Sequence, residues 1–328
     1  MHAQAPLRIG TRSSTLALTQ TGHVAERLRA GGVAVEIETI TTRGDTDTRG
    51  PVAAMGGDGV FVRELERALL EGRIDAAVHS LKDMPTAETP GLVVASVPER
   101  ALPFDALVGR TAPALAALPP GAVVGTSSIR RVVQLRALRP DLEIRPLRGN
   151  VDTRLRRLDA GDFDALVLAG AGLERLGLGG RITEVLRPDA FWPAVSQGAL
   201  AVQTRTDDGR ARDAVAMLDH VASHAAVRAE RSCLAALAGG CLAPIGGLAR
   251  LDEEGRLVLA ACVFEDTGSA VRRVIAEGAL ADADWNGVSR GERPEMLGAR
   301  VAAELLDRGA GEMLARMRDT ASGGAAPS

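Results

Sequence analysis

The sequence predicts an α/β fold: two domains of alternating strands and helices around one cleft, then a small α+β domain. Three observations lead there. Residues 1 to about 99 alternate strand-like and helix-like stretches, and so do residues about 104 to 193. Each of these halves contains a strand that runs through a short hydroxyl-rich loop into a helix, with arginine beside the loop. From about Val221 onward, helical patterns flank the strand-like "RLVLAACVF" and "AVRRVIAEG".

The first loop lies in "LRIGTRSSTLALTQTGHVAERLRA". A strand over Leu7 to Gly10 leads through Thr-Arg-Ser-Ser into a helix whose apolar positions are Leu16, Leu18, Val24 and Leu28. The second, "AVVGTSSIRRVVQLRALRP", repeats the order at residues 122 to 140. A Ser or Thr at a helix start can cap it and leave backbone N–H groups for an anion. Either motif alone reads better as an ordinary capped helix than as a binding site. Two of them, with Arg12 beside one and Arg130 and Arg131 beside the other, favour a shared anion-binding cleft.

Composition narrows the anion. The chain has 328 residues, 46% of them hydrophobic, enough for two or three cored domains. Its start, "MHAQAPLRIG", has no apolar signal segment, no run is long enough to span a membrane, and three cysteines make no disulfide framework. A cytoplasmic enzyme or binding protein is expected. The net charge of −3 conceals nine arginines against three acids between Arg130 and Arg157. Such a patch suits nucleic acid. Single-strand binders need stacking platforms, however, and this chain has no Tyr, five Phe and two Trp. Duplex binding through phosphates stays open, but a compact polyanion fits better.

Of the 39 basic residues, 38 are Arg, a bias that codon usage alone can produce. The exception, Lys82 in "DAAVHSLKDMPTAETPGL", is therefore informative. A strand through Ala76, Ala77 and Val78 brings His79, Ser80, Lys82 and Asp83 to its C-terminal end, where open α/β sheets bind ligands. The competing reading is a surface Lys–Asp pair. Cys241, in "LAALAGGCLAPIGGLA" between glycines and Pro244, is the cysteine placed for chemistry, while Cys233 and Cys262 read as buried thiols. His220 and His224, four apart on a helix, admit a metal reading that the cysteine spacing does not support; no metal is expected.

"IGTRSSTLALTQ", "GDGVFVRELERALLEGRIDAAVHSLKDMPT", "VVGTSSIRRVVQLRALRPDLEIRPLRGNVDTRLRRL", "AGLERLGL", "PAVSQGALAVQTR" and "AERSCLAALAGGCLAPIGG" resemble, in order, the porphobilinogen deaminase (hydroxymethylbilane synthase) family, from about Leu7 to Gly247. The resemblance implies a transferase that joins four porphobilinogens head to tail, releasing ammonia each time, then hydrolyses off hydroxymethylbilane for a downstream cyclising synthase of tetrapyrrole biosynthesis. It implies a dipyrromethane cofactor in thioether linkage to Cys241 and a catalytic Asp83 that stabilises the azafulvenium cation. It also implies cofactor contacts from Lys82, Ser80, Thr126, Ser127, Ser128, Arg131 and Arg154. Substrate contacts fall to Arg12, Ser14, Phe61, Arg130, Arg148, Arg175 and Gln197. The fold implied is two type II periplasmic-binding-protein-like domains, 1–99 with 199–217 and 104–193, plus an α+β domain over 221–328 that presents Cys241. A monomer is expected, with a disordered tail from about residue 320.

Ala54 and Asp58 stand where such proteins often carry lysines, Ser196 where Gly is common, and Leu242 where a polar residue is usual. These departures bear on a lid loop and on turnover. A non-catalytic two-lobed anion binder explains the loops and arginines as well, but not Asp83 beside Lys82 together with Cys241.

Overall fold

A computed structural model of the chain describes residues 5–41, 62–237, 243–268, 270–281, 285 and 293–323. Three sheets organise it. The first contains β1 (Leu7–Thr11), β2 (Val35–Thr39), β3 (Ala76–Ser80), β4 (Leu92–Ser96) and a late strand, β10 (Leu200–Arg205), in the order β2-β1-β3-β10-β4. The second contains β5 (Asp105–Gly109), β6 (Val123–Gly125), β7 (Glu143–Arg145), β8 (Ala165–Ala169) and β9 (Glu184–Leu186), in the order β7-β6-β8-β5-β9.

The two orders are the same arrangement. In each, three strands run parallel and the fourth is antiparallel to both neighbours: β10 between β3 and β4, β5 between β8 and β9. Each antiparallel strand is the first one reached after the chain crosses from the other sheet. The crossovers are residues 97–104 and 187–199. Periodicity does not reveal the return of β10, because a buried strand reads alike in either sheet.

Both sheets are covered on two faces, and inner strands such as β5 and β8 are accordingly apolar without alternation, whereas the edge strands β2 and β7 carry exposed polar residues. In β5, Leu107 packs with Val124, Leu135 and Phe191 on one face, and Ala106 and Val108 with Leu155, Leu158 and Leu168 on the other. The helices supplying those faces are α1 (Thr15–Ala30) and α2 (Arg63–Leu70) on the first sheet, and α3 (Ile129–Leu138), α4 (Val151–Asp159) and α5 (Gly170–Arg175) by the second. In α1, Val24, Ala25 and Leu28 are buried against Leu7, Ile9 and Val202. Leu18 is exposed, in contrast to the core position expected from spacing, because it points off the stripe that faces the sheet.

After α6 (Gly209–Ala216) and α7 (Val221–Ala236), an antiparallel sheet follows: β11 (Ile245–Leu251), β12 (Leu257–Asp266) and β13 (Val271–Leu280). It ends in α8 (Pro294–Asp307) and α9 (Ala310–Gly323). The last helix enters the segment expected to be a tail; residues 324–328 lie outside those described. Leu257, Leu259, Ala261 and Val263 face the helices, whereas Cys262 and Phe264 face Val133 and Trp192 of the second half. Alternation along β12 thus serves two interfaces.

All three bodies meet at residues 194–198. Gly198, at φ +87°, brings its Cα so close to the first crossover that a Cβ would lie 2.5 Å from the Ala101 carbonyl oxygen. Ser196 has φ +61°, the one positive φ of a non-glycine residue among those described, and its buried hydroxyl has no hydrogen-bond partner. Its N–H donates to Glu230 of α7 at 2.5 Å. A left-handed non-glycine residue costs about 1 to 2 kcal/mol, so Ser196→Gly is expected to raise the melting temperature by about 2 °C or more. Scanning calorimetry checks this, and an unchanged or lower transition contradicts it.

Candidate active site

The 3₁₀ turn Leu81–Asp83 directly follows β3 and places Lys82 and Asp83 in a cleft of about 250 Å³. Ser128, Arg130 and Arg131 reach it from the start of α3, Gln197 from the second crossover, and Leu234, Ala243 and Ile245 from the C-terminal unit. Arg231 of α7 donates to the carbonyls of Met84 and Pro85, fixing the segment just after Asp83. The strand end, the helix start and the third unit therefore converge on one place.

The three hydroxyls of the second loop separate in the structure. Thr126 is buried and accepts the Ser128 N–H at 3.3 Å; Ser127 exchanges hydrogen bonds of 2.9 Å with the Leu147 N–H and carbonyl. Ser128 is the N-cap residue of α3 yet makes no side-chain cap bond, and it lines the cleft. Of the three read as cofactor contacts, Ser128 is thus the one placed for a ligand. In the first loop Ser14 caps α1 through the Ala17 N–H at 3.3 Å, so its hydroxyl serves the helix. Ser80 pairs with Gln20 of α1 at 3.1 Å.

Arginines read as ligand contacts also have protein partners. Arg130 donates to Asp105 at 2.7 Å and to the Trp192 carbonyl, and Arg131 to Asp105 at 2.6 and 2.9 Å and to the Val167 carbonyl at 2.9 Å. Gln197 is buried, accepting from Lys82 at 3.4 Å and donating to the Pro103 carbonyl and Asp105 at 2.9 and 3.2 Å. It lines the cleft and bridges Lys82 to Asp105. Arg154 donates to the Gly149 carbonyl at 2.8 Å. Burial, then Arg131, lowers its guanidinium to about 10, with Asp83 opposing. Burial likewise lowers Arg175, which donates to the Gly198 carbonyl at 2.7 Å, to about 10. Arg12 and Arg148 are half-buried and do not line the cleft.

The arginine-rich run is largely neutralised outside the cleft. Arg136, Arg139, Arg145 and Arg157 pair with Asp266, Asp141, Glu143 and Asp162, which removes the continuous basic stripe a duplex would need. His220 is the N-cap of α7 and His224 pairs with Asp219 at 2.8 Å. Among the described residues no group of three or more His, Cys, Asp or Glu is placed to hold a metal, and no helix is long and apolar enough to cross a membrane. Burial pushes the Cys233 and Cys262 thiols up to about 12, which keeps them unreactive. His79 is buried within β3 and not delivered to the cleft; burial lowers its ring to about 4. Phe61 and Cys241, with Ala54, Asp58 and Leu242, lie outside the described residues.

Sequence reasoning missed three groups. Asp105 and Glu230 are buried, and Arg100, partly buried, meets Glu230 in a two-bond pair at 2.5 and 3.2 Å. A signal existed for Glu230, an acid within the apolar run of α7.

The family model for the porphobilinogen deaminase dipyrromethane cofactor binding domain matches residues 7–213, and that for the porphobilinogen deaminase C-terminal domain matches residues 224–307. The chain belongs to the porphobilinogen deaminase family. A porphobilinogen deaminase of Mycolicibacterium paratuberculosis is 49% identical over 320 residues, covering 95% of this chain and 98% of the relative. One from Roseiflexus sp. is 48% identical and one from Thermus thermophilus 46%, each covering 94% of this chain and 98% of its own. Among solved structures, a periplasmic substrate-binding protein from Coxiella burnetii covers 65% of this chain and 91% of its own at 21% identity and a TM-score of 0.41.

The described part of the cleft fits the family's carboxylate-bearing cofactor. Cations line it from both sheets, Lys82 from the first and Arg131 from the second, with Arg154 near enough to feel the charges of Arg131 and Asp83. Lys82 opens onto the cleft, but the protein around it lowers its ammonium to about 8; burial is the largest cause, opposed by Asp83 and Asp105 and aided by Arg131 and Arg130.

With no anion bound, the folded protein releases the Lys82 proton near pH 8, whereas the unfolded chain holds it to about 10.5. From pH 8 to 10.5 this group therefore makes folding more favourable, while the cleft loses a positive charge. In Cys241→Ala protein, titration calorimetry with citrate should show affinity falling as pH rises through 8. The Lys82→Arg form should lack that fall, and an equal fall in both contradicts the assignment.

Proposed function

We propose that the chain deaminates porphobilinogen and joins four units head to tail on a dipyrromethane primer bound through Cys241, then releases hydroxymethylbilane by hydrolysis. The carrying observation is that Lys82 and Asp83, consecutive on one turn, share a cleft with Ser128, Arg131 and Ala243. Ala243 is the second residue after Cys241 in sequence. A growing pyrrole chain gains carboxylates at every step, so cations arranged from both sheets match its charge.

The cleft lining supports the following roles for its side chains. Lys82, Arg131, Arg154 and Ser128 hold carboxylates of the primer; the bound primer supplies the carbon on which the chain extends. Asp83, on the turn that α7 fixes through Arg231, presents a carboxylate where positive charge develops as ammonia leaves porphobilinogen, and takes part in moving the proton displaced at the attacked carbon. Arg12, Arg148 and Arg175 stand outside the described cleft lining and serve the incoming unit or the extending chain. Sheet membership supports a division into 1–99 with 199–217, 104–193 and 221–328, since β10 lies in the first sheet. The protein acts as a cytoplasmic monomer whose product passes to a cyclising step.

The deciding experiment is a single turnover of Asp83→Asn beside wild type, followed by intact mass and peptide mapping. Wild type should carry a two-pyrrole adduct on the Cys241 peptide and gain further units. Asn, nearly isosteric, should keep the adduct but extend it about a hundredfold or more slowly. Extension at the wild-type rate removes Asp83 from the mechanism. An unmodified Cys241 in active protein removes the attachment, and a non-catalytic anion binder would show neither adduct nor extension.

A further inference from the structure

Asp105 is the first residue of β5, at the point where the first crossover enters the second sheet, and its side chain is fully buried. Its oxygens accept from Arg130, Arg131 and Gln197, and the other end of Gln197 accepts from Lys82. One carboxylate thus connects cations that belong to different sheets. A guanidinium has five N–H groups. Arg130 gives two of its own to protein atoms and Arg131 three, so the direction in which the remainder point is set by Asp105.

Stability does not account for such an array. Burying an ion cluster seldom gains over well-packed apolar residues, whereas removing one partner is costly. What the cluster supplies is orientation: without the carboxylate, two adjacent guanidiniums beside an ammonium would repel and turn apart. We propose that Asp105 is a positioning residue, which with Gln197 locks Lys82, Arg130 and Arg131 into one preassembled array for carboxylates. The proposal rests on reading the cleft as the primer and substrate site.

The test uses the full chain as wild type, Asp105→Asn and Asp105→Glu. Primer content is read by intact mass and by colour with Ehrlich's reagent, folding by thermal melting, and KM and kcat with porphobilinogen. Asn should melt cooperatively, carry about half the wild-type primer or less, and show KM raised about tenfold with little change in kcat, the mark of lost uniform binding. Glu, which keeps the charge, should recover part of both. Asn that melts lower but matches wild type in primer content and KM makes the role structural and overturns the proposal.

If Asn does not fold, Gln197→Leu decides. It leaves the arginine–aspartate bonds but cuts the link to Lys82, so lower primer content or a higher KM is expected, and wild-type values in both overturn the proposal. Wild type with neither primer nor product overturns the functional reading and the proposal with it, whereas active wild type beside unaffected variants overturns the proposal alone.

Discussion

Arg130 and Arg131 are adjacent, buried, and turned toward the carboxylate of Asp105, which the two arginines hold well below the usual carboxylate range despite its burial. The rest of the cleft depends on this contact. A cavity that collects polycarboxylates must concentrate cations, and cations concentrated in a poorly solvated place repel one another. One internal carboxylate, shared three ways with the help of Gln197, offsets that repulsion while leaving N–H groups on both guanidiniums.

The chain path explains why the counter-charge sits where it does. The second crossover lines the cleft and packs at Gly198 against the first, and the antiparallel strand of each sheet begins where its crossover ends. Asp105 heads one of them and Gln197 lies just before the other. The same junction takes in the third unit through Arg100 and Glu230, whose carboxylate also accepts the N–H groups of Ser196 and Ala249. Breaking a buried pair of this kind typically costs about 3 to 5 kcal/mol. The orientation of the two halves and the position of α7 are therefore fixed within a few residues of the cations.

The legible parts of the site were those written locally. A strand, a hydroxyl loop and a helix follow one another in sequence, so both strand–loop–helix units could be read from punctuation alone. Lys82 stood out because nearly every other basic residue is Arg. What escaped depends on distant pairing. Asp105 resembles any acid at a strand edge until two arginines 25 and 26 residues away turn toward it. Whether Thr126, Ser127 or Ser128 keeps a free hydroxyl is decided by the Leu147 backbone and the turn itself. The family resemblance named Gln197 as a contact, but its role as a bridge is visible only once Lys82, Pro103 and Asp105 surround it.

On this structure, cations from the two sheets act on carboxylates as one unit. A double-mutant cycle on kcat/KM for porphobilinogen, with Lys82→Gln from the first sheet and Arg131→Lys from the second, measures that directly. If the array is shared, the two losses will be non-additive, with a coupling of about 0.5 kcal/mol or more. Losses that add within error would show that each cation works alone and that no array is shared.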